Sequence, residues 1–120
     1  PHASAEAAEW IEIDLGAEAA LSKIVLLPRD DTSAKDGACA GFPRDFVVQL
    51  ATEPGAFKTV ATYTGCPAPG ADGVTVDLYT VIGCPPARYV RLAATRLGAP
   101  ASDEPDNYRL QLARIRVVRP

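Results

Sequence analysis

Alternation of apolar and polar residues with a period of two is the feature of this sequence that most restricts its fold. In WIEIDL, the apolar residues Ile11, Ile13 and Leu15 alternate with Glu12 and Asp14. Successive side chains of a β-strand point to opposite faces, so this pattern predicts a strand with one buried face. The same alternation occurs in DFVVQLA, VTVDLYTV and ARYVRLAAT, whereas LSKIVLLP is more continuously apolar, as expected of a strand covered on both faces.

Roughly seven such strands fit into the sequence, and connections rich in Gly, Pro and Asp separate them. EPGAF at 53–57 has the composition of a short hairpin turn. The last strand candidate, YRLQLARIRVV, changes phase near Ala113, which predicts a β-bulge or a bend there. The only helix candidate, EAA near the start, is too short to predict a stable helix. Strands without intervening helices predict an all-β fold, an antiparallel sandwich or jelly roll, with residues 1–120 as a single domain.

Composition argues against several classes of function. The net charge is −3, whereas a nucleic-acid-binding surface normally shows a basic patch. No apolar run approaches the roughly 18 residues of a membrane-spanning helix, and PHASAEAAEW lacks the basic start and apolar stretch of a signal peptide. Because the chain starts at Pro1 without a methionine, we expect it to be a mature or excised piece of something longer.

Three cysteines leave two arrangements open. Cys66 and Cys84 have matching Gly-Cys-Pro contexts around one strand candidate, so they can form a disulfide that leaves Cys39 over. The alternative is three reduced cysteines that pack as small hydrophobic residues. Zinc binding is disfavoured because His2 is the only histidine and no C-x-x-C pair is present.

Several segments, in this order, resemble one known family. They are EWIEIDLG, LSKIVLLPRDD, GFPRDFVVQLA, FKTVATYTG, ARYVRLAATRLG and YRLQLARIRVV, and they extend from about Glu9 to Val118. They resemble the discoidin family, also called the coagulation factor V/VIII type C domain. Among its bacterial members, the carbohydrate-binding modules of glycoside hydrolases such as α-L-rhamnosidases are the most similar. The resemblance implies a galactose-binding-domain-like jelly roll whose ligands bind in the loops at one end.

Two features depart from the family pattern. The first strand and calcium-binding loop that usually precede EWIEIDLG are absent or reduced to PHASAEAAE, so we expect a shortened N-terminal part. Arg114 occupies a position where the family commonly has a Glu that completes a structural calcium site. A guanidinium group cannot ligate a cation, so this residue does not fit the usual site.

The first candidate site is the polar loop between PRDD and PRDF. Asp30, Asp31 and Asp36 supply hard oxygen ligands that suit calcium, and calcium can in turn coordinate the hydroxyls of a sugar. Arg29 and Arg44 can donate paired hydrogen bonds to sugar hydroxyls or carboxylates. We therefore predict that this loop contacts a carbohydrate, either directly or through a calcium ion held by the three aspartates.

The second candidate site is RLGAPASDEPDNYR, which joins the last two strand candidates. It contains Asp103, Asp106 and Asn107, whose carboxylates and amide are suited to sugar recognition. Loops of a jelly roll gather at its two ends, and both candidate loops follow an apolar strand and precede another. We therefore expect them to form one shallow pocket. The alternative is that these residues only stabilise turns by bonding their own backbone.

Structural roles are alternatives for several other residues. Asp30 or Asp31 can cap a turn while Arg29 pairs with the aspartate that begins the next strand, Asp45. For Arg44, a surface ion pair with Asp45 is the simpler role. Trp10 is the sole tryptophan, but its position in the family is usually structural.

These observations favour binding over catalysis. With one histidine, no Ser-His-Asp or Cys-His arrangement is plausible, and no spacing singles out a catalytic carboxylate pair. We predict a non-catalytic carbohydrate-binding module, secreted or on a bacterial cell surface, that recognises a terminal rhamnose-, galactose- or fucose-type sugar. It would target an attached glycoside hydrolase, part of the same polypeptide, to polysaccharide. Membrane insertion is disfavoured because the loops carry aspartates and prolines. A cell-surface adhesion or protein-interaction domain and a structural accessory domain are the alternatives.

Overall fold

The computed structural model describes residues 4–29, 40–67, 69–70, 72–104 and 107–120. Within these residues the chain forms seven β-strands and one short helix. In chain order they are β1 (Glu9–Ala20), β2 (Lys23–Leu27), β3 (Asp45–Ala51), β4 (Lys58–Tyr63), β5 (Val74–Asp77), α1 (Leu78–Ile82), β6 (Pro86–Arg96) and β7 (Arg114–Val118). No helix in the described ranges is long and apolar enough to cross a membrane.

The strands form two antiparallel sheets. One sheet has four strands in the order β1-β6-β3-β4, and the other has three in the order β5-β2-β7. The inward side chains of β3 are those that the period-two pattern predicts, Phe46, Val48 and Leu50, and all three are buried. They pack in one cluster with residues of the other sheet, such as Ile24 and Leu26 of β2. The predicted all-β antiparallel sandwich is therefore confirmed.

The segment after β5 differs from the prediction that VTVDLYTV is one strand. The strand ends at Asp77, and the helix α1 begins at Leu78. The Asp77 side chain accepts a hydrogen bond from the Thr80 amide at 2.9 Å, which caps the helix N-terminus. Gly83 ends the helix in the left-handed conformation with φ of 69°. Leu78 remains buried, as predicted, because the first turn of α1 keeps it over the core.

Two further segments refine the predictions. EAA at 6–8 is not helical, and β1 starts directly after it. The last strand starts only at Arg114, after a bend at Ala113 that confirms the predicted break. Leu110 and Leu112 pack against the core from an irregular segment instead of a strand.

Cys66 and Cys84 are both free thiols. The Cys66 amide donates to the Arg44 carbonyl beside the start of β3, whereas Cys84 directly follows α1 near the start of β6. Because β3 and β6 are antiparallel, these two positions lie at opposite ends of the four-stranded sheet. An 11-residue strand such as β6 spans about 35 Å, which is far beyond the reach of a disulfide.

Candidate functional site

Three segments that are distant in sequence meet at one end of the sandwich, which we call the loop end (residues 40–44, 97–104 and 107–112). The Gly41 amide donates to the Ala99 carbonyl at 2.9 Å, and the Gln111 amide donates to the Gly41 carbonyl at 3.0 Å. The Arg44 amide donates to the carbonyl of Arg96, the last residue of β6, at 2.9 Å. The described parts of the two candidate loops therefore meet at one end of the fold, and the shallow pocket expected from them stays a prediction.

A packed apolar layer supports the loop end from below. Phe42 and Leu97 are 2% and 1% exposed, and both belong to the main core cluster. Gly98 lies directly against Phe42, because a Cβ atom on Gly98 would lie 1.9 Å from the Phe42 carbonyl oxygen. Gly41 adopts φ of 79° and has no room for a side chain beside Gln111. Because these two positions are glycines, the three segments can pack closely against each other without a side chain between them.

Arg29 bridges two parts of this end. Its Nη1 atom donates to Oε1 of Gln111 at 2.8 Å across 82 positions of sequence. No ion pair joins Arg29 and Asp45 among the described residues, and Oδ1 of Asp45 accepts from the Gly65 amide at 2.7 Å. Arg44 and Asp45 do lie at the start of β3, but no ion pair joins them within the described part of the chain.

The other described candidates lie in the second loop. Asp103 is exposed in a turn that the Glu104 amide closes by donating to the Ala101 carbonyl at 2.9 Å. Asn107 is half-buried, and its backbone amide donates to the Glu104 backbone carbonyl at 3.0 Å. The bonds around both residues are between backbone groups, and the Asp103 side chain faces solvent.

Four candidates, Asp30, Asp31, Asp36 and Asp106, lie outside the described residues. In the described ranges no group of three His, Cys, Asp or Glu residues is close enough together to hold a metal ion. Arg114 is exposed at the start of β7, with Leu27 of β2 as its cross-strand partner. Its positive guanidinium does not suit the family's usual structural calcium site. Calcium at Asp30, Asp31 and Asp36 stays a prediction, since these residues lie outside the described part of the chain.

The structure adds polar residues that the sequence reasoning did not single out. Glu104 and Arg109 form an ion pair at 3.0 Å across the second loop. Glu9, the first residue of β1, accepts a hydrogen bond from the Leu110 amide at 3.3 Å through Oε1. Glu9 lies on the same, inward face of β1 as Ile11 and Ile13. A carboxylate among these apolar residues is unusual, and this could have marked Glu9 in the sequence as a residue with a polar partner. Gln111 had no comparable signal.

Electrostatics at this end give no sign of an activated nucleophile. Burial raises the pKa of the Cys66 thiol above its usual value, against a smaller lowering by the nearby Arg44 charge. Burial also raises the pKa of Tyr63, whose ring stacks on Phe46 at 4.7 Å. A thiol with a raised pKa holds little thiolate at neutral pH and is a poor nucleophile. The Cys66 thiol is therefore not activated for nucleophilic attack.

Comparison with known proteins agrees with this architecture. Residues 2–92 match the model of the F5/F8 type C family described as a NedA-like, galactose-binding domain. The chain belongs to the F5/F8 type C family. The matched range of this F5/F8 type C domain includes the segments EWIEIDLG, GFPRDFVVQLA and ARYVRL, which carried the resemblance to the family. No curated protein sequence matched the chain.

Solved structures with similar folds include three sugar-binding proteins. CpGH89CBM32-5 from Clostridium perfringens, in complex with GalNAc-β-1,3-galactose, has a TM-score of 0.68 at 18% identity, over 94% of this chain and 67% of that one. The lectin domain of lectinolysin with Lewis B antigen has a TM-score of 0.64 at 24% identity, over 98% and 69%. Chitosan-binding module 1 of a Paenibacillus sp. IK-5 chitosanase/glucanase has a TM-score of 0.63 at 21% identity, over 96% and 71%. At these identities the likeness establishes the shared galactose-binding-like sandwich.

Proposed function

We propose that this F5/F8 type C domain is a non-catalytic carbohydrate-binding module that holds a terminal sugar at the loop end. The observation that carries the proposal is the convergence of three loop segments, which carry Arg44, Asp103 and Asn107, on one packed apolar floor. The backbone hydrogen bonds from Gly41 to Ala99 and from Gln111 to Gly41 fix the segments relative to each other. A preordered polar surface loses little conformational entropy when it binds a ligand.

Proteins with this fold support the choice of ligand. The three similar solved structures are named for chitosan binding, or are complexes with GalNAc-β-1,3-galactose or Lewis B antigen. Their ligands share the hydroxyl-rich surface of a glycan. We therefore assign carbohydrate as the ligand class for this chain, with a rhamnose-, galactose- or fucose-type terminal sugar as the specific candidate.

The roles of individual side chains follow from their chemistry. Arg29 and Arg44 donate hydrogen bonds to sugar hydroxyls, and Arg29 is already oriented by Gln111 at 2.8 Å. Asp103 accepts hydrogen bonds, and Asn107 both donates and accepts them. Calcium at the predicted aspartate ligands would add direct coordination of hydroxyl oxygens. A shallow site of this kind binds one sugar weakly because it competes with water for each hydrogen bond.

Catalysis is not part of the proposal. Glycoside hydrolysis requires two carboxyl groups that flank the scissile bond. Among the described carboxyl groups in or next to the loop end, Glu104 is paired with Arg109, Glu9 accepts from the Leu110 amide, and Asp103 faces solvent. The role that fits is to raise the effective concentration of an attached hydrolase at its polysaccharide. This role places the module outside the cell, in one polypeptide with the enzyme.

A glycan array, with and without a calcium chelator, followed by calorimetry tests the proposal. We expect binding to a glycan with a terminal rhamnose, galactose or fucose, and loss of that binding in Arg44→Ala and Asn107→Ala. Glu53→Ala is the matched control, because Glu53 is exposed in the β3–β4 hairpin at the opposite end. Absence of glycan binding, or full binding by the two loop variants, would refute the proposal. Loss on chelation, reproduced by Asp30→Ala, would establish the calcium component.

A further inference from the structure

The outer face of the four-stranded sheet carries an exposed tryptophan. Trp10 is 66% exposed and lies in the solvent-facing phase of β1, together with Glu12 and Asp14. Its cross-strand partner is Ala93 of β6. A single exposed hydrophobic residue needs no explanation by itself, so the case for a ligand depends on the surface that surrounds Trp10.

A row of small apolar side chains continues from Trp10 across the sheet. Ala93 pairs with Val47 of β3, and Val47 pairs with Thr62 of β4, so the row Trp10–Ala93–Val47–Thr62 crosses all four strands. At a strand spacing of about 4.8 Å, the row is about 14 Å long. Ala93, Val47 and Thr62 line a shallow depression of about 200 Å³.

Polar side chains border this row on both sides. On one side, Glu12 and Arg91 form an ion pair at 3.1 Å, and Gln49 Nε2 donates to Thr59 Oγ1 at 3.2 Å. The depression is closed on the other side by polar residues that include Asp45, Thr64 and Thr95. The face is therefore a narrow apolar strip between two rims of hydrogen-bonding groups.

This pattern distinguishes among the classes of occupant. A stable protein interface buries about 800 Å² on each partner around a wide apolar centre, and one indole, one isopropyl and one methyl group cannot supply that. A pyranose chain in which all linkages and hydroxyls are equatorial is a flat ribbon, with apolar C–H faces and polar edges. The C–H groups carry partial positive charge and are attracted to the negative face of an indole ring.

We propose that this strip is a second glycan-binding surface, which stacks a flat β-1,4-linked chain on Trp10 and the adjoining depression. It is separate from the loop end, because Trp10 lies on the outer face of the sheet while the loop-end residues pack at the end of the sandwich. The two sites differ in ligand: the loop end takes a terminal sugar, and the strip takes internal residues of a linear chain. The proposal does not depend on sugar binding at the loop end.

Intrinsic fluorescence tests the proposal directly, because Trp10 is the only tryptophan in the chain. We titrate the chain with cellohexaose and chitohexaose, and with maltohexaose as the comparison, since its α-1,4 linkages make a helical chain instead of a flat ribbon. We expect a blue shift of the emission with at least one β-1,4-linked hexasaccharide and none with maltohexaose. Unchanged emission with both β-1,4-linked chains would overturn the proposal.

Variants locate the site by calorimetry. Trp10→Ala should weaken hexasaccharide binding about three- to tenfold, and Trp10→Phe should weaken it less. Tyr79→Ala is the matched control, since Tyr79 is an equally exposed aromatic residue (67%) on α1, and its affinity should stay within about twofold of wild type. Unchanged affinity in Trp10→Ala would contradict the assignment.

Two further measurements separate this site from its competitors. Asn107→Ala should leave the fluorescence response intact, and its loss would show that the hexasaccharide binds at the loop end instead. The same variant alters monosaccharide binding if the loop-end proposal holds, so failures of the two proposals are distinguishable. Sedimentation that shows a dimer dispersed by Trp10→Ala would assign the strip to a second copy and overturn the glycan proposal.

Discussion

Replacement of Gly98 by alanine should separate the segments that build the loop end. The added Cβ would lie 1.9 Å from the Phe42 carbonyl oxygen and 2.8 Å from its carbonyl carbon. Carbon–oxygen contacts in proteins are rarely shorter than about 3.3 Å, so the two segments must move apart by about 1.4 Å. Backbone faces backbone here, so no side-chain rotation can relieve the overlap.

The cost follows from the hydrogen bonds that this movement breaks. The bond from the Gly41 amide to the Ala99 carbonyl, now 2.9 Å, would exceed hydrogen-bonding distance, and Gly41 is buried. A lost hydrogen bond that leaves a buried group unsatisfied costs about 1–3 kcal/mol, and overpacking adds a similar amount. We therefore expect Gly98→Ala to lower the free energy of unfolding by about 2–6 kcal/mol, a large part of a typical 5–15 kcal/mol.

Urea unfolding, followed by circular dichroism, measures this change. The midpoint should fall by about 1–3 M, given an m-value of about 2 kcal/mol/M. Gly70→Ala is the matched control, because a Cβ there meets nothing within 4 Å, and its stability should change by less than about 1 kcal/mol. Equal midpoints for the two variants would refute the reasoning that close backbone packing at Gly98 assembles the loop end.

Three further predictions concern other parts of the fold. Leu97→Ala should destabilise by about 2–5 kcal/mol, since Leu97 is 1% exposed, and thermal or urea unfolding that shows less than 1 kcal/mol would contradict its place in the core. Hydrogen bonds from the Thr80 and Tyr79 amides lower the pKa of Asp77 below 3.8, so its stabilising effect exists above pH 3.8 and disappears as the pH falls through the lower folded-state pKa. Melting curves from pH 6 to 2 should show the gap between wild type and Asp77→Ala closing in acid, and a constant gap would contradict the capping role. Thiol labelling of denatured, unreduced protein should modify both Cys66 and Cys84, and mass spectrometry that finds them linked would contradict their positions at opposite ends.

The period-two pattern predicted the sandwich well because a sheet that packs against a second sheet buries one face, and every second residue of its strands must then be apolar. Phe46, Val48 and Leu50 are buried as the alternation of β3 predicts. The helix α1 was missed because five residues are too few to separate a helical period from a strand period. Its local signals were the capping residues Asp77 and Gly83, which the apolar pattern obscures.

The candidate site was predictable in location more than in detail. Loop connectivity placed the two polar loops together, and the structure confirms that they meet. The partners within the loop end join residues far apart in sequence, such as Arg29 with Gln111. Pairing over such distances depends on the packing of both sheets, which no local pattern encodes. Leu110 and Leu112 alternate like strand residues, yet the Gln111 amide bonds to Gly41 of a loop.

Amide chemical shifts provide the most direct test of the central claim that the loop end binds a terminal sugar. A ¹⁵N heteronuclear correlation spectrum, titrated with L-rhamnose, galactose and L-fucose, detects weak binding and maps it to residues. We predict that at least one sugar shifts amides concentrated in 40–44, 97–104 and 107–112, with little change in the β3–β4 hairpin at 52–57. Saturable shifts that lie elsewhere, or no shifts with any of the three sugars, would contradict the account.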